Sequence, residues 1–146
     1  MRTAVDEGLL AQLRAVYMFS ELNDKQLRHV CDLGKVVDHG PGRTIVTEGQ
    51  NALSFHLILD GEADVVVHGK VRRTLHPGDY FGEVAVIDGK PRSASVVAKT
   101  EVRAWAMTGS SFKNLLEDQP SVSHGVLLGL CSRLRELETL PIQLPS

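Results

Sequence analysis

The chain has 146 residues, 42% of them hydrophobic and 23% charged, with a formal net charge of −2. That balance fits one globular domain of ordinary composition and argues against a nucleic-acid groove, which needs a concentrated basic patch. No apolar run approaches the ~20 residues of a membrane span, and the early acids Asp6 and Glu7 do not fit a signal peptide.

Leu9, Leu10, Leu13, Val16 and Tyr17 recur at helical spacing, which predicts an amphipathic helix from Asp6 to Tyr17. Asn23, with Gln26 three residues on, forms a capping-box pattern for a second helix with the apolar face Leu27, Val30, Cys31 and Leu33. Gly34 ends it. Residues 1–34 thus read as an N-terminal helical segment.

The period changes from residue 35 to residue 108. Short β-rich runs, at intervals of about eight to twelve residues, are separated by turn residues. The runs are Lys35–Asp38, Arg43–Thr47, Ser54–Leu59, Ala63–His68, Val71–Leu75, Ser93–Ala98 and Glu101–Met107. Gly40-Pro41-Gly42, Asp60-Gly61, Pro77-Gly78 and Asp88-Gly89 punctuate them. This rhythm predicts a mainly β fold, an eight-stranded jelly-roll β-roll with flanking helices.

Helical spacing returns over residues 109–140. Ser110 or Ser111 is expected to cap a short helix containing Phe112, Leu115 and Leu116. Pro120 opens the last helix, with Val122, Val126, Leu127, Leu130, Leu134 and Leu137 on one stripe, and Pro141 ends it. Residues 141–146 read as a tail or as the edge of a longer protein. Cys31 and Cys131 lie far apart in helical patterns and are expected to be small buried hydrophobes, which fits a reducing, cytoplasmic setting.

Chemistry concentrates in residues 78–95, Gly78-Asp-Tyr-Phe-Gly-Glu-Val-Ala-Val-Ile-Asp-Gly-Lys-Pro-Arg-Ser-Ala-Ser95. Backbone amides at a helix start, together with a guanidinium at Arg92 and the Ser93 hydroxyl, make a receptor for one phosphate. The carboxylate Glu83 can only accept hydrogen bonds, so beside a phosphate it needs a hydroxyl donor, which a ribose supplies. A ribose and a phosphate held close together describe a cyclic nucleotide. Gly82 reads in two ways at once, as a tight turn that needs positive φ and as a point of close approach where a Cβ would block a ligand. The arginine pairs Arg72-Arg73 and Arg133 with Arg135 read as solvated surface.

These residues resemble the phosphate-binding cassette of the cyclic-nucleotide-binding domain family, shared by catabolite-activator-like proteins and protein kinase A regulatory subunits. Phe81-Gly82-Glu83-Val84-Ala85-Val86 and Pro91-Arg92-Ser93-Ala94-Ser95 fill the family pattern, and Glu48-Gly49 and Asp60-Gly61 agree with it. The resemblance extends over about Met18–Leu137. It implies that Arg92 pairs with phosphate oxygens, helped by Ser93 and by backbone amides near Val84 and Ala85, while Glu83 accepts from the ribose 2′-hydroxyl. Val65 and Leu75 are implied as wall contacts for the base, although they serve equally as plain core. Cyclic-GMP-selective relatives often place Thr after the motif Arg; Ser93 here tilts the ligand toward cyclic AMP over cyclic GMP.

The resemblance further implies a sensory and regulatory domain whose C-terminal helix relays binding to another domain or partner. No catalytic residue, metal ligand or cofactor is expected, and the chain reads as no enzyme. Pro141 stops the last helix before any DNA-reading module, so a homodimer through that helix stays an open expectation. A metal-dependent cupin would need His-x-His, which none of the six histidines forms. A degenerate scaffold that has lost its nucleotide is the alternative.

Overall fold

A computed structural model describes residues 6–51 and 54–139. α1 (Glu7–Arg14) starts at Asp6, whose side chain accepts from the Gly8 amide, and leads to a 3-10 turn at Tyr17–Phe19. The predicted helix thus ends three residues early: Val16 is extended and swings Met18 and Phe19 into the core, leaving Tyr17 exposed. α2 (Asp24–Leu33) carries the full Asn23–Gln26 capping box.

Two four-stranded antiparallel sheets follow, built from β1 (Gly34–His39), β2 (Thr44–Val46), β3 (Ser54–Asp60), β4 (Ala63–Val67), β5 (Lys70–Leu75), β6 (Tyr80–Phe81), β7 (Ser95–Ala98) and β8 (Val102–Thr108). Their orders are β1-β8-β3-β6 and β2-β7-β4-β5. The eight-stranded roll is therefore as expected, with β6 as the strand the sequence pattern did not mark. α3 (Glu83–Asp88) lies between β6 and β7.

α4 (Gly109–Asp118) is capped by Thr108, whose hydroxyl accepts from the Ser111 amide, and not by Ser110 or Ser111. The chain is still extended at Thr108, so the hydroxyl that faces the first helical amides is that of the last strand residue. α5 runs from Pro120 to Thr139. Its expected stop at Pro141 and the tail lie outside the described residues.

Period-two alternation divides the first sheet between two cores. Phe55, Leu57, Leu59, Trp105 and Met107 face the helices and pack with Leu13, Phe19, Leu27, Phe112 and Val126. Phe55 stacks on Phe112 with centroids 4.3 Å apart, and Trp105 meets Phe19 edge-on while its Nε1 donates to the Cys31 carbonyl at 3.3 Å. Ile58, Phe81, Val102 and Ala104 point into the roll, against Val46, Ala63, Leu75, Val96 and Ala98 of the other sheet.

Only the first half of α5 is buried, through Val122, Gly125 and Val126. A Cβ at Gly125 would sit 2.5 Å from Met18 Cα, and one at Gly129 would strike the Tyr80 hydroxyl. Two glycines a turn apart therefore let α5 lie against both the N-terminal turn and the roll. Of the helically spaced residues, Val122 and Val126 are buried and Leu130 is half-buried, whereas Leu127 faces away from the body and Leu134 and Leu137 lie in the stretch 131–139, which is exposed throughout. Cys131 is likewise exposed and not a core residue; Cys31 is buried.

Candidate ligand-binding site

β6 ends at Phe81, and the chain turns through Gly82, at φ +99°, into α3. The turn presses against β3: a Cβ on Gly82 would lie 2.5 Å from the Ser54 carbonyl oxygen. Glycine is thus required here by the neighbouring strand as well as by φ.

Glu83 opens α3, where the helix dipole favours an acid. Its side chain is nevertheless almost wholly buried. Oε1 accepts from Arg133 Nη1 of α5 at 3.4 Å, whereas Oε2 is buried without a hydrogen-bond partner. Burial pushes the carboxyl above the usual carboxylate range, opposed by its own backbone amide and by Arg133, Arg73 and Arg92.

Arg92 is also buried. Its backbone is pinned to the loop after β2, donating to the Gln50 carbonyl at 2.7 Å and accepting from the Gly49 amide at 2.9 Å. Its Nη2 donates to the Ser54 carbonyl at 3.0 Å and approaches Ser54 Oγ at 3.4 Å. Burial holds the guanidinium below the usual arginine range, and the charge of Glu83 restores part of the loss.

Glu83 and Arg92 line one cavity of about 70 Å³ with Gly82, Val84, Ala85 and Ser93. All six expected contact residues thus converge. Val65 joins them, but Leu75 does not: at 1% exposure it belongs to the roll's core, one pleat deeper. Arg73 and Arg133, read from the sequence as surface, also line the cavity. Three guanidiniums therefore face one carboxylate, a local positive excess in a chain of net charge −2. Arg73 had a signal: it alternates with Leu75 on β5, opposite Val65, and so points the same way. Arg133 had a weaker one, two helical turns after Gly125 on the face of α5 that also carries Gly129.

The cavity shares Val65, Arg73, Ser93, Ala94 and Arg133 with an outer cleft of about 610 Å³, which Glu136 and Leu137 of α5 close from above. An anion fits the inner end, and a larger apolar or aromatic group fits the cleft.

The fold and this site define a β-roll with a small cavity lined by one buried carboxylate and three guanidiniums. The sequence profile described as "Cyclic nucleotide-binding domain" matches residues 36–119, more than half of the chain. The chain belongs to that family. It is 38% identical over 109 residues to the cAMP-dependent protein kinase regulatory subunit of Aspergillus niger, covering 73% of this chain and 26% of that protein. The structure is similar to cAMP-bound PfPKA-R, with a TM-score of 0.75 and 28% identity over 90% of this chain and 47% of the other. It is also similar to the regulatory subunit of a cAMP-independent protein kinase A from Trypanosoma brucei, with a TM-score of 0.76 and 25% identity over 87% of this chain and 45% of the other. The chain spans about a quarter of the length of the curated relative, and the last comparison shows that the fold alone does not name a ligand.

Proposed function

We propose that the chain binds cyclic AMP as a sensory domain and passes the binding event on through α5. The observation that carries this reading is the presence, in one small cavity, of a buried Glu83 oxygen without a donor and a buried Arg92 guanidinium that makes no direct ion pair among the described residues. Each lacks what a cyclic nucleotide brings: the ribose 2′-hydroxyl donates to Glu83 Oε2, and the phosphodiester accepts from Arg92. Ser93 and the amides near Val84 and Ala85 complete the phosphate's shell. The base occupies the outer cleft, with Val65 on its wall. The family's cAMP-bound structures support the choice of ligand.

α5 is the moving part. It touches the site through Arg133, and it exposes Leu127 on its outer side and Leu134 and Leu137 toward its end. A ligand that draws Glu83 toward the ribose competes with the long Arg133 contact and shifts α5, by as much as its affinity for the two positions differs. The exposed leucines then present a surface for an effector domain, a partner protein or a second copy. The chain acts by binding, not by catalysis, in a cytoplasmic setting.

Calorimetric titration with cyclic AMP, cyclic GMP and 5′-AMP tests the reading. Cyclic AMP is expected to bind saturably and most tightly, and Arg92→Ala to weaken it by about tenfold or more, the worth of a charge-assisted bond. Flat traces for all three nucleotides would establish the degenerate scaffold instead.

A further inference from the structure

One buried titratable group stands beside the site without a role in it. His56 occupies a roll-facing position of β3 and is 7% exposed. Its ring lies flat on Phe81, with centroids 4.7 Å apart and planes at 4°. Nδ1 is buried without a hydrogen-bond partner, while Nε2 lies 2.6 Å from Ser54 Oγ. Ser54, two residues earlier on the same face, is the residue whose carbonyl and hydroxyl receive Arg92 Nη2. The Gly82 turn closes on that same carbonyl.

The direction of the bonds follows from the groups. A guanidinium only donates, so Ser54 Oγ meets Nη2 with a lone pair and keeps its own hydrogen to give. His56 Nε2 is the group in reach that can take it, in the tautomer that carries its proton on Nδ1. Burial, with the charges of Arg92 and His39, pushes the imidazole down to about 4, so at neutral pH it is uncharged and can accept. An apolar ring would fill the same space without burying an unpaired nitrogen. The packing against Phe81 therefore does not explain a histidine; the bond to Ser54 does.

We propose that His56 is a positioning residue for the phosphate-binding arginine, orienting Arg92 through the hydroxyl of Ser54. Arg92 donates to Ser54, Ser54 donates to His56, and the guanidinium is held facing the cavity before any ligand arrives. The proposal rests on the reading of Arg92 as the anchor for the cyclic phosphate.

Cyclic AMP titrations on the full chain test both, with melting temperatures recorded for every variant. His56→Phe keeps the stack on Phe81 and removes the acceptor; it is expected to weaken binding about three- to tenfold while leaving the melting temperature equal or higher. His56→Gln sets an amide oxygen near the former Nε2 and is expected to recover binding to within about twofold of the parent chain, the acceptor being restored. Ser54→Ala is expected to lose as much as His56→Phe, and the double variant no more than either. Parent-like binding by His56→Phe, or losses that multiply in the double variant, would overturn the relay while Arg92→Ala still binds about tenfold or more weakly. If Arg92→Ala binds as well as the parent chain, the anchor reading falls and takes the relay with it.

Discussion

The two faces of β3 look into different surroundings. Toward the helices stand Phe55, Leu57 and Leu59, in a seam with Trp105, Phe112 and Phe19 where the one indole N–H finds the Cys31 carbonyl. Toward the roll stand Ser54, His56 and Ile58, and nearby lie Glu83 and Arg92, with buried polar atoms on His56 and Glu83 left unpaired. The seam is apolar and satisfied; the roll's mouth is charged and unsatisfied. A protein that only needed to be stable would have closed both. The difference separates the seam, a source of stability, from the roll's mouth, where on the proposed reading stability is given up for a ligand.

Substitutions in the seam are expected to have the largest effect on folding and none on the ligand. Phe112→Ala or Trp105→Ala should cost about 3–5 kcal/mol of unfolding free energy, read from denaturant titration. The protein that remains folded should bind cyclic AMP with unchanged affinity. A loss of affinity there would erase the contrast between the two faces.

Acid is expected to act on the mouth. The folded chain keeps His56 neutral down to about pH 4, whereas the unfolded chain protonates it near its ordinary value of 6.5. The unfolded state therefore takes up the proton first, so this contribution is full above pH 6.5 and is lost as the pH falls toward 4, by about 3 kcal/mol in all. Glu83 works in the opposite sense, because its raised folded value gains stability on protonation. Comparing the parent chain with His56→Phe isolates the histidine: the variant should show a shallower acid-side decline, with only the share of other groups such as His39 and Asp38 remaining. Equal slopes would show that the ring is not held neutral by its site.

Glu83→Gln separates binding from stability more sharply. Removing a desolvated charge should leave the melting temperature equal or higher, while the preference for cyclic AMP over its 2′-deoxy analogue falls by about tenfold, the worth of a hydrogen bond to a charged group. A variant that melts lower and still discriminates would reverse the roles assigned to this carboxylate. The smallest effect belongs to Thr108→Ala, which removes the cap of α4 and should cost about 1 kcal/mol with no change in affinity.

Much of this was legible in the chain itself. The capping box at Asn23 and Gln26, the strands with their Gly turns, and the cassette from Gly78 to Ser95 follow from contacts between residues a few positions apart. Turn chemistry and side-chain period are local, so sequence spacing carries them. The failures came where a distant group decides. α1 stops at Arg14 because Met18 and Phe19 must enter a core made by other elements, and Cys131 is exposed because it lies past the part of α5 that packs on the body.

The amino-acid order by itself fixed the roll, the acid and the cation of the cassette, and the helix that follows them. Tertiary structure alone decided that Arg133, 50 residues from Glu83, reaches its carboxylate, and that Ser54 and His56 stand behind Arg92, 38 residues away from Ser54. The physical reason is the same in each case. Such contacts depend on strand register and on the seating of α5 at Gly125 and Gly129, and a shift of one residue in either would aim those side chains elsewhere.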